Sequence, residues 1–359
     1  MKINIIYKFK FRLIKALQKL KSIHILIILI SLFILWVQFD LLTNILAEFL
    51  WFKELNYLPV LITKLQTETI LWIITFLISV SFFLGNLRLA SIFKYSKKQV
   101  RVTEVSEETM LVPPVTMPSS KLRIEPSLGL GWLLCFTCGL ILLVGLILTH
   151  YIEVFTNYWY PDSTMTKVSP QIPSEFNIES IWTILTSIPS NLWLLGLFIL
   201  LFIVVIINPI FWLSVLAILL SLVFSFILSR HWGNILQLLS ATMFNKSEDL
   251  FHIDIGFYVF QLPVLQLLKF WLIGLFLYGF VACSLIYLLS GKSLSQGNFY
   301  QFSQQQQRHL HALGGGFILT IAFSYFLACF ELLYSRRGVI YGAGYTDIKV
   351  QFPAYVFLA

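Results

Sequence analysis

Charge is what this chain lacks most. Only 12% of its 359 residues are Asp, Glu, Lys or Arg, about half the share a soluble domain carries, and mean hydropathy is +0.83. From Ser180 to Ser229 there is no Asp, Glu, Lys, Arg or His at all. At about 1.5 Å per helical residue those fifty positions would reach about 75 Å, against about 30 Å of bilayer hydrocarbon. One straight helix cannot stay in lipid over that distance. Asn208-Pro209 interrupts the run, where Pro removes a donor and restricts the residue before it, so two spans folded back on each other are predicted.

Cysteine is scarce too. Cys135, Cys138, Cys283 and Cys329 all fall in apolar segments, which excludes a disulfide scaffold. Cys135-Phe-Thr-Cys138 has redox or metal spacing but no second pair and no nearby histidine, so it reads as packing. His309-Leu310-His311 places its two rings on different helix faces and reads as interfacial polarity. The sequence contains no His-Glu-x-x-His and no Gly-x-Ser-x-Gly. Gly291-Lys292-Ser293 echoes a phosphate loop whose first glycine position is Ile286, inside an apolar run. No cofactor, no metal and no catalytic residue is expected.

What is present is apolar helix. Seven transmembrane spans are predicted, near 23–39, 70–87, 128–149, 191–207, 210–228, 264–289 and 310–333. Residues 1–22 form a basic amphipathic segment, with Ile6, Phe9, Leu13, Leu17 and Leu20 on one face and lysines on another. It reads either as a helix lying in the headgroup layer or as a plain topology signal, and it stays attached, because Gln38-Phe-Asp-Leu-Leu lacks the small-x-small pattern of a cleavage site. The N-terminal tail and the 88–127 loop carry seven Lys or Arg each, against two and one in the loops that follow spans one and three. That puts the N-terminus in the cytoplasm and, with seven spans, the C-terminus outside. Charge alone mildly favours six crossings; the uncharged fifty residues favour seven. The same placement of basic residues beside spans argues against nucleic acid as the target of the net charge of +8.

Residues 334–359 are not membrane-like. Ile348, Val350 and Phe352 alternate with Lys349 and Gln351 as in a strand, and the segment reads as the start of an extracytoplasmic domain that is absent. Gly342-Ala-Gly-Tyr-Thr-Asp347 reads as a tight turn, and Gln304–Gln307 as part of a polar loop.

Two constellations qualify as candidate sites. Asp254 and Tyr258 lie four apart in an aromatic re-entry segment on the extracytoplasmic side, where Asp347 is also expected. Together they could form a docking or catalytic surface for a lipid-linked or envelope substrate; the plain alternative is that Asp254 caps or anchors an interfacial segment while the aromatics belong to the belt. Ala312, Gly316, Thr320, Ser324 and Ala328 repeat every fourth residue, a small-xxx-small face for close helix packing. Ionisable residues near mid-bilayer, as ion-coupled transport needs, are lacking: Lys269 falls near the start of the sixth span and Glu331 near the end of the seventh.

At several of these residues the chain resembles a known family. Phe251-His-Ile-Asp-Ile-Gly-Phe-Tyr-Val-Phe-Gln-Leu-Pro263, Glu331-Leu-Leu-Tyr-Ser-Arg-Arg-Gly338 and Tyr341-Gly-Ala-Gly-Tyr-Thr-Asp347 are similar to signatures of uncharacterised protein family 0182. Leu50-Trp-Phe-Lys-Glu-Leu-Asn-Tyr-Leu-Pro59 resembles its first extracytoplasmic loop. Ser293-Leu-Ser-Gln-Gly297 and Phe302-Ser-Gln-Gln-Gln-Gln-Arg-His-Leu310 resemble cyanobacterial members. Glu248-Asp249 departs from the family's usual Asp-Pro. The resemblance implies a bacterial plasma-membrane protein with seven N-terminal spans and a large extracytoplasmic region, which this chain lacks, and it supplies no activity. The expected role is a membrane anchor and scaffold for an extracytoplasmic domain or envelope partner, with the lipid bilayer as surroundings and self-association as a further option. The alternatives are a transporter or lipid-handling subunit, and an envelope enzyme whose catalytic region lies outside this chain.

Overall fold

The computed structural model describes residues 31–94 apart from 33, 34, 37, 41 and 44, then 128–159, 171–289, 298–299, 302–335 and 342–359. The chain divides into two compact units, one up to Gln66 and one from Thr67 onward. In the first, residues 45–54 are helical, and Asn56, with φ of 58°, takes the left-handed turn that ends this helix. An ion pair of 3.0 Å joins Lys64 Nζ to Glu48 Oε2.

Helix α1 (Leu58–Phe93) is followed by α2 (Leu130–Trp159), α3 (Ile178–Ser187), α4 (Leu192–Ile207), α5 (Pro209–Ser229) and α6 (Trp232–Leu239). A π-turn, Phe257–Gln261, leads into α7 (Leu262–Leu288), and α8 (Gln304–Glu331) comes next. A second π-turn, Asp347–Gln351, leads into α9 (Phe352–Leu358). Extended structure is confined, among the described residues, to an antiparallel pair of two-residue strands, β1 (Leu128–Gly129) and β2 (Asn298–Phe299), and to one isolated bridge between Ser247 and Asp254.

Among the described residues five helical stretches are long and apolar enough to cross a membrane: Leu58–Phe93, Gly131–Trp159, Pro209–Ser229, Phe257–Leu288 and Gln304–Tyr334. The pair α3 and α4 passes the same test together but is bent by 109°. The described residues are therefore all-helical apart from these short pairings, with five or six candidate spans. Most of the expected first span, the 1–22 segment, the Gly291-Lys292-Ser293 loop and much of the 88–127 loop lie outside the described residues. The fourth expected span is the apolar half of the bent pair, because Pro189 has no N–H with which to continue the ladder from α3. α5 begins where expected: the Asn208 side chain caps the new helix by accepting from Phe211 N at 3.3 Å, and Pro209 occupies its first turn.

Two expectations are corrected. Gln304–Gln307 is not loop but the first turn of α8, fixed by a capping box in which Ser303 and Gln306 satisfy each other's backbone amides. The strand expected at 348–352 is helical, a π-turn running into α9. Five residues of alternation fit a helical turn as well as a strand when no neighbouring strand pairs with them.

α7 is the centre of the second unit. Eighteen of its residues are buried, on every face, as befits a helix apolar all round. It packs on α2, α5 and most extensively on α8, while α1 reaches it through rings: Phe82 against Phe276 and Phe83 against Tyr278, with centroids 5.3 and 5.0 Å apart. In lipid such contacts gain from close packing and dispersion rather than from expelled water. Gly274 shows how close the approach is. A Cβ there would stand 2.3 Å from Phe224 Cζ and 2.7 Å from Tyr151 Oη.

Candidate functional site

The re-entry segment resolves into an anchored loop. Asp254 Oδ1 accepts from Gly256 N at 2.6 Å and from Phe244 N at 3.2 Å, tying residues 244–246 to the start of the π-turn. The Gly256 amide, opposed in part by desolvation and aided by those of Phe244, Asn245 and Lys246, holds this carboxyl below the usual aspartate range. Tyr258 is buried among Phe257, Phe330 and Tyr334, with its hydroxyl 3.5 Å from Glu248 Oε2. Glu248 itself accepts from the amides of Leu250 and Phe251. Asp347, also buried, accepts from Gly344 N at 2.9 Å, and Gly342 turns the chain with φ of 115°. No hydrogen bond or ion pair among the described residues joins Asp347 to Asp254 or Tyr258. Each acid holds its own loop.

The two loops are nevertheless built alike. Each runs from an Asp through a π-turn ending in Gln (Gln261, Gln351), then Leu-Pro or Phe-Pro opening an α-helix. Phe251 of the first meets Phe352 of the second, rings 5.5 Å apart. In the sequence the shared signal is Gln-[Leu/Phe]-Pro; the acids differ in place, Asp254 lying before its π-turn and Asp347 opening its own.

On the small-residue face, Ala312 is exposed, Gly316 receives the Phe276 ring, Thr320 is buried and bonded back to Gly316 O at 2.8 Å, and Ser324 and Ala328 are half-buried. The face meets α7 through a ring seated on Gly316, where an added Cβ would stand 2.3 Å from Phe276 Cε1. Cys135 and Cys138 are exposed and unbridged on α2. Among the described residues no group of three His, Cys, Asp or Glu gathers to hold a metal.

The chemically distinctive place is one that sequence reasoning passed over. α7 starts where α8 ends, so Lys269 and Glu331, set apart as near-terminal residues of different spans, come to one level. Lys269 Nζ lies 3.3 Å from Glu331 Oε1 and 3.4 Å from Glu175 Oε2, and Gln266 Nε2 donates to the same Glu331 oxygen at 2.9 Å. Lys269 is buried, while about a third of each glutamate side chain is exposed. The segment before α3 brings Glu175 in, pinned by His150 Nε2 on Ser174 O (3.1 Å) and by the Phe176 ring against His150. These residues line a cavity of about 320 Å³ with Ile172, Pro173 and Asn177. The readable signal was one cation near the start of one apolar run and one acid near the end of the next.

At the other end of the same helix pair a second polar group forms. His309 Nε2 faces Asn86 Oδ1 at 3.0 Å and His309 Nδ1 faces Tyr287 Oη at 2.7 Å. Asn86 Nδ2 donates to Phe82 O, so its oxygen is what His309 meets. His309 therefore donates from Nε2 and accepts the Tyr287 hydroxyl at Nδ1, and every group has a partner.

Comparison with known proteins adds lineage. The profile of the uncharacterised protein family UPF0182 matches residues 25–359. The chain belongs to this family. A UPF0182 protein of Trichodesmium erythraeum (strain IMS101) is 80% identical over the whole chain, which covers 35% of that relative. One from Nostoc sp. (strain PCC 7120 / SAG 25.82 / UTEX 2576) is 41% identical over 90% of the chain and 33% of its own length. One from Synechocystis sp. (strain ATCC 27184 / PCC 6803 / Kazusa) is 31% identical over 92% of the chain and 33% of its own. The chain thus spans about a third of the length of the UPF0182 relatives it matches. No solved structure matches it.

Proposed function

We propose that these residues are the membrane anchor of UPF0182 proteins: seven crossings of the bacterial plasma membrane, N-terminus inside, with the segment after α8 outside, scaffolding an extracytoplasmic region or envelope partner. The observation that carries this reading is the match itself. A chain built of apolar helices aligns end to end with only a third of relatives that are far longer. The charge asymmetry of the first loops supports the orientation. Five long helices, the bent pair as one crossing and the apolar run at 23–39 make seven.

The orientation is tested by replacing the four native cysteines, placing one at Ser335, and labelling intact cells with a membrane-impermeant maleimide. Reaction without permeabilisation is expected; reaction only after the cytoplasm is opened overturns it. The scaffold role predicts that gentle detergent extraction recovers the chain with a stoichiometric envelope protein, and a clean monomer speaks against it.

A further inference from the structure

The short helix α9 is built like the start of α7 and is aimed like it. In both, a π-turn ends in Gln and Pro stands in the first turn of the α-helix that follows. Gly342 N donates to Ser335 O at 3.0 Å, so the chain turns back where α8 ends. Ring contacts then give the direction. Phe352 opens α9 against Phe251, whose ring also meets Phe330, one residue from the end of α8. Three residues on, Tyr355 meets Tyr325 with centroids 5.8 Å apart, and α9 packs on α8. Tyr325 stands six residues before Glu331, about 9 Å at the helical rise. α9 therefore runs antiparallel to α8 and inward along a candidate span. That is the sense of α7, where Tyr258 of the π-turn meets Phe330 and Phe276 meets Gly316.

Composition says what surrounds it. Between Phe352 and Ala359 the Tyr355 hydroxyl is the only polar group on a side chain, and Lys349 is the last charge. Phe352 and Tyr355 are half-buried, while Val356, Phe357 and Leu358 are 55, 89 and 47% exposed. A helix on a watered surface turns polar residues outward; this one turns out apolar residues alone. The exposed side chains of α8 at the same depth and beyond, Ile318, Leu319, Ile321 and Phe326, are apolar too, so the two surfaces are continuous in character. We propose that α9 re-enters the bilayer beside α8, with Val356, Phe357 and Leu358 against lipid acyl chains. The inference rests on the part of the anchor reading that makes α8 a crossing, and not on its orientation. Residues 342–347 stay on the side where α8 ends, and α9 goes back in.

The test is fluorescence quenching in nanodiscs of phosphatidylcholine and phosphatidylglycerol. The full chain, its four native cysteines replaced, carries bimane on a single Phe357→Cys, on Tyr345→Cys ahead of the π-turn, or on Ile318→Cys within α8; all three positions are exposed. Spin-labelled acyl chains quench from the lipid and iodide quenches from water. Phe357→Cys is expected to behave as Ile318→Cys does, strongly quenched by the lipid label and several-fold less by iodide than Tyr345→Cys. Val356→Cys repeats the measurement should Phe357→Cys fail to fold. The proposal is overturned if iodide quenches Phe357→Cys as fully as Tyr345→Cys while Ile318→Cys stays in lipid. It is equally overturned if neither quencher reaches Phe357→Cys, the mark of a second copy or another protein segment covering this face. Should Ile318→Cys itself be quenched from water and not from lipid, α8 is no crossing, and the anchor reading falls with this one.

Discussion

The two ends of the α7–α8 pair solve the same problem, polar side chains inside an apolar bundle, in opposite ways. At the Tyr287 end the groups are neutral, and the tautomer of His309 is dictated by its neighbours, so that both ring nitrogens are paired. At the Lys269 end the groups are charged, their acceptors outnumber their donors, and a cavity adjoins them. A closed neutral network adds rigidity and nothing else. A charged one must offset the cost of taking its members out of water.

The largest effect should come from removing the charge that balances the open end. Lys269→Met leaves two carboxylates facing each other, and breaking a buried pair in this way costs about 3–5 kcal/mol. Because the glutamates are about a third exposed, the low end, about 3 kcal/mol, is expected in detergent unfolding. Adding Glu331→Gln should restore part of it. If Lys269→Met is neutral, the cluster is an ordinary surface pair and the contrast collapses. Next comes Gly274→Ala, which drives a methyl into Phe224 and the Tyr151 hydroxyl and should cost about 1–3 kcal/mol. Gly315→Ala, with open space around it, should be neutral or stabilise by up to about 1 kcal/mol.

A third buried contact asks whether closed networks resist acid. His231, fully buried between α5 and α6, faces the Tyr158 hydroxyl at 3.2 Å and Asn234 Nδ2 at 3.5 Å. The Tyr158 proton goes to Gln171 O, so the ring donates from Nε2 and accepts at Nδ1. Burial pushes its pKa down to about 4 from 6.5. The unfolded chain therefore takes up a proton between those values that the folded one refuses, and stability falls as pH drops from 6.5 toward 4. Between pH 7 and 5 the loss attributable to this residue should be about 1–2 kcal/mol. His231→Gln should flatten that slope; an unchanged slope would place the acid sensitivity elsewhere.

Much of the helical body could be read from the chain. The uncharged run and Asn208-Pro209 located α5, because lipid forbids unpaired backbone and Pro cannot continue a ladder. Pro263 likewise sits in the first turn of α7, where its missing N–H costs little. The 109° bend could not be read off as a bend, since Pro189 says where a helix stops and not where the next one points. Gln304–Gln307 was misjudged by composition although Ser303-x-x-Gln306 spells a capping box. Of the candidate surface, Asp254 and Asp347 turned out to cap separate loops. The Lys269 cluster stayed hidden because it is a property of two helix ends and a loop ninety residues upstream, assembled only by packing.

The smallest expected effect completes the contrast from the neutral end. Tyr287→Phe removes one hydroxyl and keeps the ring against Phe302 and His309. What is lost is the donor to His309 Nδ1, a neutral bond worth about 1 kcal/mol. The orphaned imidazole nitrogen could raise that, but an acceptor is more easily left under-satisfied than a donor, so about 1 kcal/mol should stand. Should Tyr287→Phe cost as much as Lys269→Met, the two ends would not differ in kind.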